Sequence, residues 1–249
     1  MTETRRYILN AGLAACVAPL GAVLTACDDP KAKIKDLKSL VQVNYGAKKF
    51  KESGANAQEG LKLALETVGP KHPDTLYFAQ AVSEAYLQLG DKSKAMAALD
   101  REIELRLGAG QTESKLQSRR TYAIKFAEEL GDRKVAARHA LAIARAIEMG
   151  KGKDPQPVYR PETKYPRDLF AQGIEGDVTV TYSLDAEGAV TNAKVVKATP
   201  KDLFDDAAID SFMSWRFTPM LENGKPVPTS GHQYTLMFRL GGRAPGARN

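Results

Sequence analysis

Cysteine is nearly absent from this chain. The 249 residues hold two, Cys16 and Cys27, and everything after Cys27 is without a thiol. Disulfides, cysteine nucleophiles and cysteine metal sites are therefore excluded from the bulk of the protein, even in a compartment that would permit them. Histidine is equally sparse: His72, His139 and His232 are the only three. None has a second ligand at the i, i+4 spacing that metal sites on helices use, so all three are expected to be structural. No Gly-rich phosphate loop and no nucleophile elbow occurs. Asp205 and Asp206 read as charges at a helix start, where the macrodipole favours them, not as a catalytic pair. The expectation is a protein that is not an enzyme, with no cofactor, no metal and no small-molecule substrate.

Long apolar runs are also missing, with one exception. Arg5 and Arg6 precede a run from Tyr7 to Ala26 that is rich in Ala, Leu, Val, Ile and Gly. It is about long enough to cross a bilayer, which takes roughly 20 residues, but Asn10, Pro19 and several glycines make it a poor permanent helix. A positive start, an apolar middle and small residues at the end are the layout of a secretory signal. Leu24-Thr25-Ala26-Cys27 resembles the lipobox of bacterial lipoproteins, which implies cleavage after residue 26 and lipid attachment at Cys27. Stable anchoring takes more than one acyl chain, which lipoprotein maturation supplies. Thr4 to Asn10 resembles a twin-arginine motif for export in the folded state, although a plain positive start explains two arginines nearly as well. Asp28 directly after the cysteine resembles the inner-membrane retention signal of enteric bacteria. A periplasmic protein on a lipid anchor is expected, with the inner membrane favoured over the outer.

Charge is unevenly spread. Residues 31–150 carry 21 Lys and Arg against 15 Asp and Glu, whereas residues 151–249 carry 13 against 12. Lys31, Lys33, Lys35 and Lys38 follow the anchor directly. Anionic headgroups attract such lysines by about 1 kcal/mol each; a solvated helix face accounts for them equally well. Nucleic acid is not an expected partner of an exported, lipid-held chain.

Between Lys38 and Met149 apolar residues recur at helical spacing, as in Leu61, Leu65 and Val68. Two stretches repeat at an offset of 41 residues: Leu89-Gly90-Asp91 with Ala95, and Leu130-Gly131-Asp132 with Ala136. The glycine suits a left-handed helix end and the aspartate caps the next helix, so each unit is a helix hairpin. Together with Gly69-Pro70-Lys71-His72-Pro73-Asp74-Thr75, these residues resemble the tetratricopeptide (TPR) repeat in its kinesin-light-chain form, with about three helix pairs. The resemblance implies a partner-binding surface and no catalysis.

Gly150 to Pro166 holds four prolines and ends the helical period, as an extended interdomain linker does. The period then becomes two in Asp177–Leu184 and Ala189–Val196, around a turn at 185–188, and again in Tyr234–Leu240. Phe204, Ala208, Phe212 and Trp215 lie at helical spacing between them, which favours burial of Trp215. Tyr165-Pro166, Gly173-Ile174-Glu175-Gly176-Asp177-Val178, Phe204-Asp205-Asp206-Ala207-Ala208, Trp215-Arg216-Phe217-Thr218-Pro219 and Asn223-Gly224-Lys225-Pro226-Val227 are similar to the C-terminal domain of TonB proteins. That resemblance implies two helices on a three-stranded antiparallel sheet, and capture of an extended peptide by strand addition at a sheet edge. On this carry-over Tyr234, Leu236, Phe238 and Leu240 are the expected partner-binding residues of the last strand. The other possibility is that the tail after residue 240 covers that edge.

The expected architecture is α+β, divided into a signal at 1–26, a membrane-proximal segment at 27–37, a TPR-like helical domain at 38–150, a linker at 151–164, a TonB-like domain at 165–241 and a tail at 242–249. Proteins of the TonB family carry an N-terminal spanning helix that meets ExbB and ExbD; here a cleavable lipid signal and a helical array stand in its place. The expected function is therefore a lipid-anchored adaptor for envelope proteins or peptides. The alternative is an energy transducer for outer-membrane uptake of iron chelates or vitamins.

Overall fold

The structure is a computed structural model that describes residues 29–147 and 154–240. The expected signal, Cys27, Asp28 and the tail after residue 240 lie outside the described residues. No helix among the described residues is long and apolar enough to cross a membrane.

Six helices form three successive hairpins: α1 (Pro30–Gly46) with α2 (Phe50–Thr67), α3 (Pro73–Leu89) with α4 (Lys92–Gly108), and α5 (Gln117–Leu130) with α6 (Arg133–Ala146). The repeated Leu-Gly-Asp performs the same task twice. Gly90 and Gly131 end α3 and α5 at φ of 69° and 77°, the left-handed region that glycine enters without a Cβ penalty. Asp91 and Asp132 then accept the backbone N–H of Lys94 and Val135, each at 3.1 Å, and cap α4 and α6. Ala95 and Ala136, the shared alanines, are fully buried where the helices meet.

The loop before α3 is held by its own polar residues. His72 Nδ1 accepts from the N–H of Asp74 at 3.2 Å, Pro73 sits at the first helical position, and the Thr75 hydroxyl donates to the Gly69 carbonyl at 2.7 Å. Asp74 also pairs with Lys38 of α1 at 2.5 Å, tying one hairpin to the next. Helix α1 starts earlier than the apolar period suggests. Asp29 caps it and Pro30 opens it, so residues 30–37, expected to be a membrane-proximal segment, are its first two turns and bury Ile34 and Leu37.

The second half contains β1 (Pro157–Tyr159), α7 (Arg167–Ala171), β2 (Gly176–Leu184), β3 (Val190–Thr199), α8 (Asp205–Met213), β4 (Arg216–Phe217), β5 (Met220–Glu222), β6 (Lys225–Val227) and β7 (Thr229–Phe238). Strands β3, β2 and β7 form one antiparallel sheet in that order, β1 pairs with β4, and β5 with β6. The core lies on one face of the main sheet, where Val178, Val180, Tyr182 and Leu184 of β2 meet Phe204 and Phe212 at α8, with Trp215 and Phe217 beyond. The turn from β2 to β3 is fixed by the Asp185 carboxylate, which accepts from the N–H groups of Glu187 and Ala189.

The stretch read as a linker is extended from residue 154 onward, yet it is not a free tether. Gln156 and Thr218 exchange two hydrogen bonds of 2.8 and 2.9 Å, and Val158 and Tyr159 pack on Ile124, Ala127 and Ile143 of the last hairpin. Leu221 and Met220 meet Leu141, Ala144 and Ile147 alongside. Arg216 pairs with Glu128 of α5 and donates to the Glu187 carbonyl at 2.9 Å. The two halves are thus joined by a packed junction.

Candidate docking site

The main sheet has two edges, and they differ. Strand β3 is irregular: its register with β2 shifts twice, Asn192 sits at φ 51°, and Lys194 and Lys197 stand exposed on it. Bulges and lysines are the devices that keep an edge from pairing with other chains. Strand β7 has neither over most of its length. Seven consecutive pairs run unbroken from Gly176↔Phe238 to Tyr182↔His232, and among the described residues β7 pairs with β2 alone. Its outer row of backbone N–H and C=O groups is the regular, unblunted edge of this sheet.

Of the four side chains expected to contact a partner from β7, the structure places two in the core and leaves two partly exposed. Leu236 and Phe238 are each 3% exposed and belong to the core, with the Phe238 ring stacked on Phe204 at 4.4 Å. Tyr234 is half-buried against Trp215 and Phe212. Leu240 follows the strand, and its N–H donates to the Glu175 carboxylate at 2.7 Å. The physical reason is the period of two: residues of one parity face the core, so Gln233, Thr235 and Met237 are the ones left outward, with Arg239 just beyond the strand. The alternation in the sequence already carried that signal, since Leu236 and Phe238 are the most apolar of the set. Strand β7 also begins at Thr229, five residues before the expected start, because Gly231 at φ 81° lets the chain pass a register shift opposite Tyr182 and Leu184.

A cavity of about 450 Å³ adjoins the start of β7, between residues 231–234 and the extended segment 154–157. Tyr182 and Phe217 form its floor. Burial, and after it the nearby Asp154 carboxylate, push the Tyr182 hydroxyl up to about 12, so it stays a neutral donor and acceptor. The His232 ring lies 5.3 Å from that of Tyr182, and its Nε2 is 3.1 Å from the Thr229 hydroxyl. Arg160 lies to one side, its guanidinium 5.6 Å from the Trp215 ring centre and 3.2 Å from the Tyr234 hydroxyl.

On the helical half, α2 and α4 stand apart over α3 and leave a groove of about 580 Å³. Leu61, Leu65, Ala79, Val82 and Ala98 line it, with Lys62, Lys94 and Arg101 at the rim. The remaining two histidines are built into local structure. His72 caps α3, and His139 is fully buried, with Nε2 2.8 Å from Asp100 and Nδ1 2.9 Å from Arg120. Arg120 in turn holds Glu113 through two bonds of 2.7 and 2.8 Å. No group of three or more His, Cys, Asp or Glu that could hold a metal occurs among the described residues.

Residues 161–240 match the family model described as Gram-negative bacterial TonB protein C-terminal. Protein TonB of Yersinia enterocolitica is 31% identical over 88 residues, which are 35% of this chain and 32% of that relative. The chain therefore spans about a third of that relative's length. The solution structure of the Pseudomonas aeruginosa TonB C-terminal domain aligns at 28% identity and a TM-score of 0.32, covering 37% of this chain and 93% of that one. A kinesin light chain of Podosopora anserina with nearly identical TPR-like repeats aligns at 13% identity and a TM-score of 0.37, covering 59% and 64%. The chain is α+β: an array of three helix hairpins followed by a sheet domain of TonB type. Both edges of the sheet and the cavity beside β7 lie in or against the TonB-like part.

Proposed function

We propose that this chain is a periplasmic adaptor, lipid-anchored through Cys27, that holds an envelope protein or peptide by strand addition on β7. The observation that carries the reading is the contrast between the edges: seven regular pairs behind a β7 that has no second strand among the described residues, and a bulged, lysine-bearing β3. Backbone groups of β7 supply affinity to any extended segment, and the outward side chains Gln233, Thr235 and Met237 select among them. The groove over α3 offers a second surface, and the packed junction keeps the two at a fixed spacing. The signal, the lipid and the inner-membrane location rest on the lipobox-like sequence. Photo-crosslinking in intact cells tests the edge. A photoreactive residue at Met237 is expected to capture a partner and one at Lys197 on β3 is not; capture from β3 alone sinks the proposal.

The match to the TonB family favours a second reading, an energy transducer for outer-membrane uptake. Deletion of the gene separates the two. Lost growth on a scarce iron chelate or vitamin supports transduction, and unchanged growth supports the adaptor.

A further inference from the structure

We propose that the cavity between β7 and the 154–157 segment is a subsite for a lysine or arginine side chain carried by the strand that docks on β7. The inference rests on the strand-addition reading and adds the chemistry of what is selected. Four consecutive residues, Gly231 to Tyr234, border the cavity. Successive side chains of a strand point to opposite faces and the inner edge of β7 is paired with β2, so His232, Gln233 and Tyr234, which follow the register shift at Gly231, can border one space together only along the strand's outer edge. An added strand would therefore run past the cavity's mouth. Its side chains on the core-facing side would point at the floor made by Tyr182 and Phe217.

The lining chemistry favours a cation. Among the described residues Asp154 is the only carboxylate on the wall, and none of them brings a lysine or arginine to it. The Asp154 side chain is exposed and makes no hydrogen bond or ion pair among the described residues; only its backbone carbonyl is engaged, by Gln156. Tyr182 and Tyr234 line the cavity, the half-buried Tyr234 contributing aromatic surface that attracts a cation, and the neutral Tyr182 hydroxyl can accept a hydrogen bond from it. An apolar side chain of the same length would gain the ring contacts but leave Asp154 unpaired. A carboxylate would meet Asp154 at close range and be rejected. The cation of Arg160 does not compensate Asp154, because it is placed against Trp215 and the Tyr234 hydroxyl.

The test uses the full chain and three extended peptides of alternating Thr and Val, identical except for one central position occupied by lysine, norleucine or glutamate. Affinities are measured by calorimetry. The lysine peptide is expected to bind about tenfold more tightly than the norleucine peptide, the size that one cation–π contact and one partly exposed ion pair supply together. The glutamate peptide is expected to bind most weakly. Asp154→Asn should bring lysine and norleucine to within about twofold of each other, with the circular dichroism spectrum and thermal melt of the parent showing that the variant is folded. Three peptides that bind alike leave strand addition standing and overturn the subsite. No binding by any of the three overturns the docking edge and the subsite with it.

Discussion

Arg216 of β4 and Glu128 of α5 form an ion pair across the junction of the two halves, with side chains only 3% and 15% exposed. The residues are 88 positions apart, and their contact is flanked by Val158, Tyr159 and Leu221 packed on the same hairpin. A pair so shielded from water is costly to break from one side, because the remaining charge keeps no partner of opposite sign.

Glu128→Ala should therefore destabilise the protein by about 3 kcal/mol, the usual scale for an orphaned buried charge. Denaturant unfolding followed by circular dichroism measures it. A loss under about 0.5 kcal/mol, typical of exposed pairs, would show that the junction is open to solvent.

Helix α2 depends on a glycine where helices ordinarily avoid one. A Cβ on Gly60 would lie 2.3 Å from the ring of the fully buried Phe78. Gly60→Ala gains up to about 1 kcal/mol in helix propensity but forces a core ring to move, at about 1–3 kcal/mol. Net destabilisation is expected. Combining it with Phe78→Leu should cost less than the sum of the single changes, because the two sites share one contact.

The assignment of β7 residues to core and surface predicts opposite behaviour for neighbours. Leu236→Ala should cost about 2–5 kcal/mol of stability. Met237→Ala should stay within about 0.5 kcal/mol of the parent and weaken partner capture instead. Thermal melts paired with crosslinking yield separate the two effects.

Asp100 links stability to pH. Burial raises its carboxyl, but the bonds from His139 and Arg138 outweigh burial and hold it below its ordinary 3.8. A depressed carboxylate contributes stability that is present above 3.8 and fades as pH falls through the lower folded value. Asp100→Asn should accordingly be less stable than the parent at pH 7, with the gap narrowing below pH 3.8. Urea unfolding at pH 7 and pH 3 checks the sign; a gap that widens in acid contradicts it.

Much of this architecture is legible in the sequence, because the residues that specify it act locally. Gly90-Asp91 and Gly131-Asp132 each fix a helix end and the next helix start within two positions, so their repetition exposes the array. The β2–β3 hairpin is equally local, set by alternation and Asp185. The junction was not legible. Strands β1 and β4 are two or three residues long and have no period, and Glu128 meets Arg216 only through the folded chain. The facing of β7 lay in between. Its alternation is visible in the sequence, and the TonB resemblance implies partner contacts through the apolar parity, whereas burial places Leu236 and Phe238 of that parity in the core and leaves Gln233, Thr235 and Met237 outside.

Whether β7 is the docking edge is decided most directly by amide hydrogen exchange of the full chain with and without the partner segment identified by crosslinking. Strand addition predicts that alternate amides of β7, those not bonded to β2, slow by at least about tenfold, while amides of β3 keep their rates. Slowing on β3 or in the α2–α4 groove with β7 unchanged would contradict it.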